Sequence, residues 1–279
     1  MDVVTYAELR TRLTPGEIRS ELRSGGLRRV RRGAFVPREV TDLDVLAALQ
    51  REVPRAIASH GSAAYLLGFA EAPAKPHVTV PHGRALEGGS YAVVHRSRRD
   101  IPVVIVDGIR VTDPVRTVFD LARTGAPVEG VVAADAALHA GLVSVEQLRR
   151  SLGAVRGLHG ASRARDAVRR CREGAQSPME TRLRLLLVSA GLPEPVLQHP
   201  VRTSLGELHL DLAWPHARIG VEYDGYTWHS DQETFARDRR RWRALAAAGW
   251  DMHPVPHADV RHPHALLSAL RAALARRGG

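Results

Sequence analysis

Glu207-Leu208-His209-Leu210-Asp211-Leu212-Ala213 and, a short connection later, Arg218-Ile219-Gly220-Val221-Glu222-Tyr223-Asp224 decide the fold of the last third of this chain. In the first stretch the even positions are apolar and most odd ones polar. In the second the phase is inverted, with Ile219, Val221 and Tyr223 forming the apolar face. Alternation with period two marks strands. Trp214-Pro215-His216-Ala217 is a short connection, so an antiparallel hairpin is expected. Pairing Ala213 with Arg218 sets Asp211 opposite Gly220 and His209 opposite Glu222. Asp211 and Glu222 are then diagonal neighbours on one face, with Cβ atoms roughly 7 Å apart. Asp224 lies on the same face, and Gly220 leaves room beside Asp211. Carboxylates crowded in this way repel one another unless a hard cation such as Mg²⁺ or Mn²⁺ takes them as oxygen ligands. The alternative is a polar hairpin side that faces solvent and holds no ion.

The flanking sequence completes an α/β unit. Ser177-Pro178-Met179-Glu180 opens a helix with Met179, Leu183, Leu186 and Ala190 on its apolar positions, and Gly191 closes it. Glu180 has two readings. It is the N3 residue of a capping box, or it is a third carboxylate that approaches the metal. Val196–Val201 reads as a strand. Gly225-Tyr226-Thr227-Trp228-His229 brings an imidazole beside the carboxylates, and His229 is the candidate general base near neutral pH. Ser230-Asp231-Gln232-Glu233 caps the next helix, whose buried stripe is Phe235, Trp242 and Leu245. Asp238 lies close to that stripe and needs a partner, which Arg241 at i+3 can supply. Arg237, Arg240 and Arg241 are candidates for holding a phosphate backbone. Trp250–Val255 reads as a last strand and Pro263–Arg277 as a last helix. His253, His257, His262 and His264 are interrupted by prolines, which disfavours a zinc site there.

Toward the N-terminus, Tyr6–Leu13 reads as a short helix. Thr14, Pro15 and Glu17 then occupy the N-cap, N1 and N3 positions of a second one. Ile18 and Leu22 form its buried stripe, and Gly25-Gly26 stops it. Leu27–Val30 and Ala34–Val36 flank the tip Arg31-Arg32-Gly33, which gives a helix–turn–helix with a wing. The second helix would enter the major groove, and Arg28, Arg29, Arg31 and Arg32 would meet phosphate.

The middle is mixed. Leu43–Glu52, Gly61–Phe69, Asp113–Arg123, Val128–Ala140 and Val145–Leu152 read as helices, and His77–Val80, Tyr91–His95 and Val103–Val106 as strands. His60, His77, His82 and His95 are scattered without metal-ligand spacing, as surface or hydrogen-bonded histidines would be. The expected organisation is α/β (α+β) in class. A winged helix at 1–40 precedes a mixed domain at 41–152, a basic linker or helix at 153–176, and an endonuclease-like domain at 177–279.

Composition narrows the partners. The chain has 279 residues, with 40 Lys and Arg against 30 Asp and Glu, a formal charge of +10. Such a surplus points to nucleic acid or an anionic membrane. No apolar run approaches a membrane span, and Met1–Thr5 begins no signal peptide, so a cytoplasmic DNA-binding chain is expected. Cys171 is the one cysteine, which excludes an intrachain disulfide and a Cys-based zinc site. Lys75 is the one lysine, so no lysine can serve catalysis after it. There is no Walker A loop, Gly-x-Ser-x-Gly elbow or dinucleotide fingerprint.

With these residues in view, positions 177–260 resemble the Vsr-like, restriction-endonuclease-type family with the PD-(D/E)xK core. The carrying motifs are His209–Trp214, Val221-Glu222-Tyr223-Asp224-Gly225, His229, Asp238-Arg239-Arg240-Arg241 and Gly249-Trp250. The resemblance implies Asp211 and Glu222 as metal ligands and maps the first-helix acid to Glu180. Asp224 stands where such nucleases carry a lysine, and His229 falls where Vsr-type enzymes use histidine. Residues 5–40 resemble the winged-helix N-terminus of AbiEi-type abortive-infection antitoxins. The middle is similar to the rest of such proteins through Ser59–Ala64 and Val111–Arg123. That resemblance implies DNA binding, autoregulation and a cognate toxin as partner. The expected function is a DNA-binding protein with a Mg²⁺- or Mn²⁺-dependent endonuclease domain. In it Asp211, Glu222, Asp224 and His229 would do the chemistry, Asp211, Glu222 and Glu180 would hold the metal, and Asp238 would support them. The alternative is a non-enzymatic DNA-binding regulator or antitoxin that keeps a degenerate nuclease fold, and the missing lysine favours it.

Overall fold

The computed structural model describes residues 4–31, 33–37, 41–83, 92–224 and 232–277. It is a mixed α/β chain that divides into two compact units, 1–168 and 169–279. The division falls inside a helix, Ala161–Arg170, rather than near Ser177, and residues 1–40 group with the middle of the chain. Among the described residues no helix is long and apolar enough to cross a membrane.

The first unit begins with strand β1 (Val4–Thr5) and helices α1 (Tyr6–Arg10) and α2 (Pro15–Ser24). The hairpin β2 (Leu27–Arg31) and β3 (Ala34–Pro37) follows, and the strands pair in the order β1-β3-β2. Both helices start with reciprocal capping boxes, Thr5 with Glu8 and Thr14 with Glu17. Each box satisfies two backbone donors that the first turn leaves open. Gly25 ends α2 at φ +78°, a left-handed cap that suits glycine. Leu9, Ile18 and Phe35 close a small core beneath.

The same unit continues with α3 (Asp42–Glu52), β4 (Ile57–Ala58), α4 (His60–Leu66), β5 (His77–Pro81), β6 (Val93–Ser97), β7 (Val103–Val106) and β8 (Ile109–Thr112). Helices α5 (Pro114–Thr124), α6 (Pro127–His139), α7 (Val145–Ser151) and α8 (Ala161–Arg170) follow. The sheet order is β6-β5-β4-β8-β7. β5 and β6 run parallel, with Thr79 opposite His95. The β7–β8 hairpin turns at Asp107-Gly108, both at positive φ. Gln50 of α3 donates to Arg110 O and accepts from Arg110 N, which ties that helix to β8. The core holds Val45, Leu46, Leu49, Val78, Val80 and Val111. Lys75 sits exposed in the turn before β5.

The second unit has α9 (Pro178–Ser189), β9 (Val196–Thr203), β10 (Gly206–Trp214), β11 (Ile219–Asp224), α10 (Gln232–Ala247), β12 (Asp251–Pro256), α11 (His257–Arg261) and α12 (His264–Arg277). The sheet order is β12-β11-β10-β9, with β11 and β12 parallel and the other pairs antiparallel. One face packs Leu212, Trp214, Ile219 and Val221 against Leu183 and Leu187 of α9 and Leu266 and Leu270 of α12. The other packs Val201, Leu210 and Ala213 against Leu245 of α10.

Three sequence expectations change here. The turn is the 3-10 segment Pro215–Ala217, closed by Arg218 in the left-handed region at φ +50°. Trp214 therefore stays in its strand, buried, with its indole N–H donating to Pro193 O at 2.9 Å. The register becomes Trp214↔Ile219 and Ala213↔Gly220, two residues away from the Ala213–Arg218 pairing. Extending it puts Asp211 across from Glu222 instead of diagonal to it. Gly220 does not leave room beside Asp211, because a Cβ there would lie 2.6 Å from Met252 Sδ and 2.9 Å from Leu210 Cδ1. The even leucines of β10 also do not share one face. Leu210 and Leu212 go to opposite cores. The change occurs at Asp211, whose neighbour Gln198 has φ +47° and which interrupts the ladder between Leu210↔His199 and Leu212↔Leu197.

Candidate functional site

Glu180 enters the site from the first turn of α9. Ser177 caps the helix by accepting from Glu180 N at 3.1 Å. The Glu180 carboxylate does not close the box but turns inward and is 6 % exposed. Its Oε2 accepts from Gln176 N at 2.9 Å and from Gln198 Nε2 at 3.2 Å. The same Gln198 nitrogen donates to Asp211 Oδ1 at 3.4 Å, and Tyr223 N donates to Asp211 Oδ2 at 3.3 Å. Glu222 projects from β11, and its Oε1 accepts from Arg241 Nη2 of α10 at 2.6 Å. That nitrogen also donates to His209 O at 2.5 Å.

The three carboxylates are raised above their ordinary range, each mainly by burial. The Asp211 charge pushes Glu180 and Glu222 up further, and Asp238 adds to Glu222. Hydrogen bonds from Gln198, Tyr223 N and Arg241 pull the other way. Desolvation and like charge thus oppose ionisation in one small region, which is where functional sites place such groups.

Beside this cluster lies an open cleft of about 750 Å³ lined by Glu222, Asp224, Asp238, Arg239, Arg241 and Trp242. Asp238 lies 3.9 Å from Arg237. Arg241, expected on the phosphate backbone and as the partner of Asp238, turns to Glu222. Arg237 and Arg240 are exposed. His229 and the Ser230-Asp231 cap lie outside the described residues, as do Arg32 and the side chains of Arg28, Arg31 and Phe235. Arg29 is exposed, with its guanidinium 5.5 Å from the centroid of the Phe35 ring. Gln198 escaped the sequence reading. Its place beside His199, as a polar pair within the Val196–Val201 strand, was the one signal for it.

A second constellation was also missed. His60, His77 and His95 are not scattered, because each offers a ring nitrogen within 4.8 Å of the others. β5 carries His77 and Thr79 on one face, parallel β6 brings His95 opposite Thr79, and α4 sets His60 above them. Ser59, Thr79, Thr112, Thr117 and Asp120 are buried in the same unit. Asp120 of α5 is held by Arg116 at 2.7 Å and Arg123 at 3.0 Å. Spacing could not reveal the histidines, since the crossover between parallel strands is not set by periodicity.

Comparison with known proteins fits this layout. The AbiEi antitoxin C-terminal domain family matches residues 56–169, which include the three histidines and the α5 carboxylate. The match covers the middle of the chain and not the winged residues 5–40, to which the sequence resemblance assigns AbiEi character. The chain is 31% identical over 260 residues to the uncharacterized protein Rv2248 of Mycobacterium tuberculosis strain H37Rv, covering 92% of this chain and 95% of that one. The same figures hold for the uncharacterized protein MT2308 of strain CDC 1551. The chain belongs to the family of these mycobacterial proteins, and its residues 56–169 match the AbiEi antitoxin C-terminal domain. The crystal structure of the RV2827C protein from Mycobacterium tuberculosis aligns at a TM-score of 0.40 and 19% identity, over 72% of this chain and 83% of that one. None of these descriptions names an endonuclease.

Proposed function

We propose that the chain is a DNA-binding regulator of the antitoxin kind, with a protein toxin as its partner. The AbiEi domain at 56–169 supports this, and so does the surplus of ten positive charges. The observation that carries it is local. A doubly capped pair of short helices runs through a left-handed Gly25 into the β2–β3 hairpin, the order of a helix–turn–helix with its wing. DNA-binding is tested by fluorescence anisotropy of the full chain on the duplex upstream of its own gene and on a scrambled duplex, over a salt series. Tighter binding to the first, falling as salt rises, supports a regulator. Equal and salt-insensitive binding overturns it.

A second reading has its own observation. Glu180 and Asp211 meet on one amide, with Glu222 close enough to feel Asp211; Glu180 is buried, the other two are partly buried, and all three are reluctant to ionise. An all-oxygen set of this kind fits a hard dication such as Mg²⁺ or Mn²⁺. Turning the Gln198 amide over would present its oxygen as well. In this reading the C-terminal unit hydrolyses phosphodiester bonds as a Vsr-like endonuclease. Asp211, Glu222 and Glu180 hold the ion, and His229 is the base. Asp224 in the lysine position and Arg241 on Glu222 count against turnover. A cleavage assay with Mg²⁺ or Mn²⁺ on several DNA forms, beside Asp211→Ala, decides it. Activity lost in the variant supports the enzyme, whereas activity that survives, or none in the parent chain, removes it.

A further inference from the structure

We propose that His60, His77 and His95 form a site for one transition-metal dication of the zinc class, separate from the carboxylate cluster. The three side chains offer nitrogen only, which selects zinc, nickel or copper over magnesium. His77 Nδ1 and His95 Nε2 already lie 3.1 Å apart. Two nitrogens bound about 2.0–2.1 Å from a tetrahedral ion must sit about 3.3 Å apart, so this pair is near its bound spacing. His60 is 3 % exposed, and its Nε2 is buried with no hydrogen-bond partner among the described residues. A buried nitrogen left without a partner is costly and calls for an explanation. An ion supplies one.

The surroundings prepare His60 for that role. Its Nδ1 lies 3.0 Å from Ser59 Oγ, and Thr79 Oγ1 donates to that oxygen at 2.8 Å. With Nδ1–H donating to Ser59, the lone pair sits on the orphaned Nε2. Ligating histidines are commonly fixed by a second hydrogen bond of this kind. His60 holds φ +50°, an unusual conformation for a residue with a side chain, at the first position of α4. Burial and the neighbouring imidazoles keep His60 neutral down to about 2 and His95 down to about 4, the form in which imidazole ligates. The Asp120 carboxylate, held between Arg116 and Arg123, places a negative charge near His95 against the opposing charge of Arg123. The His60 and His95 rings lie stacked, with centroids 3.5 Å apart and planes 13° apart. Three imidazoles leave a fourth position open to water or to a partner's side chain.

The test uses the full chain, stripped with a chelator and titrated with Zn²⁺ by calorimetry and with Co²⁺ by visible absorption. One ion per chain is expected, with a four-coordinate Co²⁺ spectrum. His77→Gln and His95→Gln should each weaken Zn²⁺ binding at least tenfold, while His82→Gln leaves it unchanged. Should the histidine variants fail to fold, X-ray absorption of the zinc-loaded parent chain reads the ligands directly. Three imidazoles per zinc are expected. No stoichiometric binding, unchanged affinity in both folded variants, or fewer than two imidazoles per zinc overturns the proposal.

Discussion

Glu180 and Asp211, on a helix and a strand 31 positions apart, are joined through one nitrogen, Gln198 Nε2, at 3.2 Å and 3.4 Å. The sign of their shared effect can be worked out. A carboxylate raised in the folded state holds its proton above the pH at which the unfolded chain releases it. Folding stability from these groups therefore falls as pH rises above the ordinary carboxylate range. Asp211→Asn should accordingly raise the melting temperature of the C-terminal unit at pH 8 by about 2–4 °C, with the gap closing near pH 5. Calorimetric scans at the two pH values check this. A variant less stable than its parent at pH 8 would contradict the crowding.

Arg241 offsets the charge of Glu222. Removing it leaves a largely buried carboxylate without its 2.6 Å donor. Arg241→Met should cost about 1–3 kcal/mol in urea unfolding. Glu222→Gln in the same background should recover part of that loss, and simple additivity of the two changes would refute the pairing.

The wing predicts a salt effect. Replacing Arg28, Arg31 and Arg32 with alanine should flatten the log K against log salt slope on duplex DNA by about 2–3, near 0.9 for each phosphate no longer neutralised. The C-terminal unit should melt as before. An unchanged slope would remove these arginines from the interface.

The histidine cluster predicts acid sensitivity in metal-free protein. His60 and His95 fall to about 2 and about 4, so the folded state refuses protons that the unfolded chain accepts below 6.5. Their contribution is complete above 6.5 and is lost as pH falls toward those values, at up to about 1.4 kcal/mol per pH unit for each histidine. The melting temperature of the first unit, followed from pH 7 to pH 5, should drop less in a His60→Phe variant.

Gly220 offers a packing test. Its missing Cβ would collide with Met252 and Leu210. Gly220→Ala should cost about 1–3 kcal/mol, as overpacking does, and Met252→Ala in the same chain should relieve part of it.

Much of this was legible in the sequence because it was local. The Thr14-Pro15-Glu17 cap, the two strands (though not the unbroken alternation of the first) and the Ser177 cap are all set within a few residues, and each is present. What could not be read depends on partners distant in the chain. The β10–β11 register moved by two because Arg218 takes a left-handed conformation, which composition does not announce. The pairing of Asp211 with Gln198 needs β9, and the approach of His95 to His77 needs parallel strands joined across residues 82–92. Glu180 had two readings in sequence. Ser177 Oγ made the cap, which freed the carboxylate to turn inward.

The swap of faces at Asp211 has a consequence for descent. Because Leu210 just before this residue and Leu212 just after it feed opposite cores, the strand must bend where the acid stands. Architecture and acid thus share one position. A lineage that gives up any chemistry at this position still has reason to retain the aspartate, so its persistence among relatives would record the bend before it recorded a reaction.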